Sequence, residues 1–145
     1  MDFKKIIVSG LVAGLAAFIV GNLLYLNPLT ASLYSASSAS YCSKSMDLFG
    51  GLMPWLGLMW LGGMISTVFL AVIYSYTEKG LGGPAWRKGL FFGFLLWLVA
   101  GLPNAYNTWL LHSYPDAMIL VETINGLIGG LVAGLVLAIV YEKMK

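Results

Sequence analysis

The chain has 145 residues, of which 59% are hydrophobic and 10% charged, with a formal net charge of +2. Soluble domains carry about 25% charged residues, so this composition excludes an ordinary water-soluble fold and points to a protein held in lipid. The small positive excess needs no nucleic acid to explain it, because short basic flanks orient membrane spans and meet anionic head groups.

The first apolar stretch, Ile6 to Leu26, contains no charge. Lys4 and Lys5 precede it and the small residues Ala36, Ser38 and Ala39 follow, as in a signal peptide. Its apolar run exceeds the roughly 7–15 residues of a secretory core, so a retained membrane helix is expected. Asn27-Pro28 should close it, since a residue before proline is pushed out of the helical region. The loop 27–47 is rich in Ser, with Leu33, Tyr34 and Tyr41 interspersed, and reads as a solvated connector or a short interfacial helix. It holds Cys42, the single cysteine, which leaves no intrachain disulfide, CxxC pair or cysteine-based metal site.

The second stretch, Leu48 to Thr77, is also uncharged. Ser66 and Thr67 should return their hydroxyls to carbonyls one turn back, and Met53, Met59 and Met64 read as packing rather than a metal route. A linker over 78–87 carries Gly80, Gly82, Gly83 and Pro84, a turn-rich composition. The third stretch, Gly89 to Leu111, contains Pro103, which should bend the helix and free a carbonyl near Val99. After the short loop from His112 to Asp116, the fourth runs from Ala117 to Tyr141 with Glu122 as its one charge. Each stretch exceeds the roughly 20 residues that a helix needs to cross the hydrocarbon. Three tryptophans, Trp55, Trp86 and Trp109, fall near expected boundaries as an aromatic belt, while Trp60 and Trp97 lie deeper.

Seven of the eight basic residues flank the chain ends or lie in the central linker, and Lys44 alone lies in an opposite loop. The positive-inside bias therefore places both termini in the cytoplasm, most simply at a plasma (inner) membrane. The expected fold is all-α and polytopic: a single membrane domain over 1–145 with four transmembrane helices, built as a tandem, parallel repeat of two hairpins. Repeat 1 covers about 5–77 and repeat 2 about 88–142. Gly10 to Val20 (GLVAGLAAFIV) aligns with Gly89 to Val99 (GLFFGFLLWLV), and Leu61 to Tyr74 (LGGMISTVFLAVIY) aligns without a gap with Ile128 to Tyr141 (IGGLVAGLVLAIVY). The offsets are 79 and 67 residues, the difference being the longer first loop. An even number of spans per unit puts the expected pseudo-twofold axis along the membrane normal.

Glycines recur four apart: Gly10 and Gly14, Gly89 and Gly93, and Gly126, Gly130 and Gly134. Lipid offers no hydrophobic drive between helices, so such rows promote close backbone approach, within the chain or with another subunit.

Polar residues gather at one depth. Counting about 1.5 Å per residue from the cytoplasmic side, Asn22, Asn104 and Asn125 lie roughly 23–24 Å up, and Glu122 and Asn107 one turn higher. His112 stands at the outer mouth. Glu122 with Asn125, and Asn104 with Asn107, are spaced i, i+3 and are expected to share helix faces. Glu122 is either a proton or cation site supported by amides, or a wetted staple bonded to Asn107 or His112. The repeat places Trp55 opposite Glu122 and Leu58 opposite Asn125, so any such site is asymmetric.

Catalysis needs a nucleophile with a base, paired carboxylates or a metal cluster, and the spans supply one Glu and several Asn. No HExxH, GxSxG or phosphate-cradling loop occurs, and the spans lack the basic residues that glutathione-binding membrane transferases need near the cytosolic helix ends. No enzyme, metal or cofactor is expected. Two readings remain: a structural or accessory subunit that associates with itself or a larger membrane complex, and a small-solute, proton or cation transporter or channel using the polar cluster.

Overall fold

A computed structural model of the chain describes residues 2–28, 30, 32–33, 46–112 and 114–144. Four helices long and apolar enough to cross a membrane account for most of it: α1 (Phe3–Tyr25), α2 (Leu52–Thr77), α3 (Ala85–Leu111) and α4 (Asp116–Lys143). The chain is thus an all-helical, multi-pass membrane protein in its make-up.

Local chemistry explains the helix ends. The Asp2 carboxylate accepts the Lys5 backbone N–H (3.4 Å) and caps α1, which stops at Tyr25. Asn27 then folds over the next turn: its Oδ1 accepts the Thr30 N–H at 2.9 Å and its amide donates to Thr30 Oγ1 at 2.9 Å. Cys42, Lys44, Tyr34 and Tyr41 lie outside the described residues. Apolarity alone starts the second span at Leu48, yet α2 begins at Leu52, after a 3-10 turn over Met46–Phe49. Gly50 and Gly51, at φ +84° and +106°, separate the two in a backbone region that side chains rarely tolerate. Pro115 leads into α4, with Asp116 in the first turn and Lys143 in the last, both signs favourable to the helix dipole.

Within α3 a π turn occupies Trp97–Gly101, and the Leu102 N–H reaches back to the Trp97 carbonyl. Pro103 follows at the first turn of the renewed α-helix. The bend anticipated at Pro103 is taken up by this turn just before it, because the extra residue re-registers the helix around the missing donor.

α1 packs along α2 on one side and α4 on the other, and α3 packs along α4. α2 and α3 meet where the rings of Tyr74 and Phe92 touch edge-on, 5.2 Å apart. The buried core is Ile6, Ala13, Ala71, Tyr74, Phe92, Leu137, Ala138 and Tyr141. All eight belong to the halves of the helices nearest the two chain ends and the central linker, the terminal end of the bundle. Tyr74 is fully buried and packs edge-on against Tyr141 as well, at 5.6 Å. Aromatic geometry of this kind supplies attraction where lipid removes the hydrophobic drive. The Lys88 ammonium, at the start of α3, holds the Glu142 carboxylate near the end of α4 at 2.8 Å. Ser66 and Thr67 do return their hydroxyls to Gly62 and Gly63 carbonyls, at 2.9 and 3.0 Å. Of the methionines in α2, Met64 is buried, while Met53 and Met59 are exposed.

The glycine rows lie at the crossings. A Cβ on Gly10 would come within 2.7 Å of the Val68 Cα, and one on Gly14 within 2.5 Å of Thr67 Oγ1 and 2.8 Å of Met64 Sδ. In the other hairpin, a Cβ on Gly89 would fall 2.5 Å from the Gly134 carbonyl, and one on Gly93 would overlap the Gly130 carbonyl. Main chain meets main chain there, the geometry in which weak Cα–H···O bonds form. Gly126, by contrast, has only Trp97 Cδ1 near it, at 3.9 Å.

Candidate functional site

The opposite end of the bundle is looser and carries the polar residues. A cavity of about 230 Å³ opens there between α3 and α4, lined by Tyr25, Trp97, Gly101, Asn104, Ala105, Thr108, Ile119, Glu122, Thr123 and Gly126. Two of the residues singled out from sequence, Glu122 and Asn104, share this lining. Glu122 is half-buried on α4, and Asn104 projects from α3 just beyond the π turn. Trp97 forms one wall. Its indole N–H donates to the Thr123 carbonyl across the helix pair at 3.0 Å, and Gly101 leaves room for the ring, since a Cβ there would lie 2.7 Å from Cδ1.

The other four candidates are elsewhere. The Asn22 amide is spent on its own helix, donating to the Phe18 carbonyl at 2.8 Å. Asn107 is exposed, and His112 is exposed with its ring stacked on Tyr114 at 5.4 Å. Asn125 is half-buried, and its amide nitrogen is enclosed without a hydrogen-bond partner among the described residues. Helix geometry accounts for the separation within each i, i+3 pair. The cavity face of α4 runs through Ile119, Glu122, Thr123 and Gly126, and that of α3 through Trp97, Gly101, Asn104, Ala105 and Thr108. At about 100° per residue, Asn125 and Asn107 each fall roughly a third of a turn from the middle of their helix's face. A face about 100° wide takes one member of each pair and leaves the other beyond its edge.

Tyr25, Trp97, Thr108 and Thr123 were not anticipated as lining. Trp97 carried a signal, being a deep tryptophan between two glycines a turn or so away in space, but nothing in the local pattern links it to α4. Thr108 and Thr123 bond back to the Asn104 and Ile119 carbonyls, at 2.8 and 2.6 Å, as hydroxyls in apolar helices do.

Chemically the cavity offers one carboxylate, one carboxamide, three hydroxyls and an indole wall. These groups suit a small polar or cationic guest. Toward the terminal end, the crossings of Gly93 with Gly130 and of Gly89 with Gly134 come first, then the Tyr74, Phe92 and Tyr141 rings. Among the described residues, therefore, the polar lining stops about halfway along the bundle. Comparison of the chain with protein-family models, with curated proteins and with solved structures finds no match, so the functional reading rests on these residues and their geometry alone.

Proposed function

We propose that the protein is a non-catalytic structural or accessory membrane subunit, which packs through α2 against copies of itself or against a larger membrane complex. The observation that carries this reading is the state of the α2 glycines. Gly57, Gly62 and Gly63 have nothing within 4 Å of where a Cβ would stand, whereas Gly10, Gly14, Gly89, Gly93 and Gly134 all press on a neighbour. Small residues in a membrane helix lower its propensity and pack poorly against lipid, so glycines left bare on α2, the Gly62-Gly63 pair above all, are positions where another helix can approach closely. Met59, Trp60 and Leu61 beside them are exposed as well.

Tandem duplication belongs to the same reading. Gly10 meets Thr67 and Val68, and Gly89 meets Gly134 and Leu135; Gly14 meets Met64, and Gly93 meets Leu131. These partners stand opposite one another in the alignment of the halves, 67 residues apart. In repeat 2 Gly130, the counterpart of Gly63, receives Gly93. Its counterpart is bare, which supports an external partner for that position. The terminal end faces the cytoplasm in this account, as the basic flanks favour.

A second reading, a small-solute, proton or cation transporter, is favoured by the cavity that joins Glu122 and Asn104. The aromatic closure of the terminal half weighs against it. Two experiments separate them. Gly63→Leu should reduce the mass of the intact particle in mild detergent and leave the thermal midpoint of the single chain unchanged. Glu122→Gln should leave that mass unaltered; if it instead abolishes a proton-coupled flux measured in proteoliposomes, the transporter reading replaces this one.

A further inference from the structure

The terminal end carries a second concavity, unrelated to the polar cluster. An open groove of about 700 Å³ runs down the outside of α3, from the linker glycines Gly80, Gly82 and Gly83 past Trp86, Arg87 and Lys88 to Leu90, Phe91, Phe94 and Leu131 of α4. We propose that this groove holds one anionic phospholipid of the adjoining leaflet, its phosphate at Arg87 and an acyl chain along Phe91 and Phe94.

Depth and charge both fit such a lipid. Arg87 sits in the first turn of α3; Phe91 and Phe94 lie about 6 and 10 Å deeper at 1.5 Å per residue, so cation and apolar wall are stacked as head group and acyl chain are. Among the described residues, no carboxylate lines the groove. Lys88 is already held by Glu142, while Arg87 has no ion pair among the described residues. That leaves an exposed guanidinium, the side chain best suited to grip a phosphate through two parallel N–H bonds. Its stem is seated by the turn before it. Gly83 has φ +102°, and a Cβ there would lie 3.1 Å from Arg87 Cδ. Trp86 beside it is exposed, at the depth where indoles favour the interface. A zwitterionic lipid would bring its own cation to the same place, and a free phosphate would leave the apolar wall uncovered. An anionic phospholipid satisfies both parts.

The test uses the full chain in mild detergent, with phosphatidylglycerol, phosphatidylcholine of the same acyl chains, and glycerol phosphate as probes, read by thermal midpoint and by lipid retained in native mass spectrometry. Phosphatidylglycerol should raise the midpoint more than phosphatidylcholine, and glycerol phosphate should do nothing. Arg87→Gln should weaken phosphatidylglycerol retention on the order of ten-fold, the scale of one charge-assisted contact. Phe91→Ser, which keeps the charge, should also weaken it, by a smaller factor. Lys79→Gln, an exposed cation of the same end outside the groove, should leave it unchanged. Equal response to the two lipids, full retention in Arg87→Gln, equal loss in Lys79→Gln, or an effect reproduced by glycerol phosphate would each overturn the proposal.

Discussion

The α1–α2 and α3–α4 pairs both cross at glycines four residues apart, and the opponent differs at one of them. In the α1–α2 pair, Gly10 faces the main chain of Val68 and Thr67 but Gly14 faces the side chains of Thr67 and Met64; in the α3–α4 pair, Gly89 and Gly93 both face the main chain of Gly134 and Gly130. A side chain can turn aside and a carbonyl cannot. The crossing at Gly14 therefore has slack that those at Gly10, Gly89 and Gly93 lack, and matching spacing in sequence does not mean matching tolerance in the fold.

Breaking the rigid crossing should cost most. Gly93→Leu would force α3 and α4 apart, and about 3 kcal/mol of stability, the upper range for overpacking, should be lost in detergent unfolding. Gly14→Ala should cost less, about 1 kcal/mol, and Thr67→Ala in the same chain should recover part of it by vacating the space. No side-chain change on α4 should rescue Gly93→Leu, which makes the pair of rescues a direct test of the contrast. Smaller still is the polar clasp at the terminal end. A double-mutant cycle on Lys88→Gln and Glu142→Gln should give a coupling of about 1 kcal/mol, since the pair is short, mostly enclosed and at a membrane surface. A coupling indistinguishable from zero would mean that the aromatic cluster alone joins those helix ends.

Much of the scaffold was legible in the chain, because spans of this length and apolarity admit few alternatives in lipid. All four helices occur where uncharged runs place them, and the hydroxyls of Ser66 and Thr67 turn inward on their own helix as expected. What hydropathy could not resolve was backbone detail inside an apolar run. Gly50 and Gly51 break the second stretch, and a π turn displaces the effect of Pro103 by half a helix turn or more toward Trp97. The candidate site was half legible. Glu122 and Asn104, matched by depth, both line the cavity, but depth carries no azimuth, and Asn22, Asn107, Asn125 and His112 lie outside the lining that Trp97 and Thr108 complete. Spacing of i, i+3 put residues on one side of a helix without saying how wide the contacting strip would be. The partners of the glycine rows were equally hidden, since a row four residues apart looks the same whether it meets glycine, threonine or another subunit.

The bare Gly63 of α2 is where the account is most exposed to refutation. Gly63→Cys in a chain with Cys42→Ser, oxidised in native membranes, should form an interchain disulfide and shift the band to twice its mass or to that of an adduct with another subunit. The same cysteine placed at Leu120, an exposed position on α4, should remain monomeric. A Gly63→Cys chain that stays monomeric under conditions that oxidise a control pair would contradict the claim that this surface is built to meet another helix.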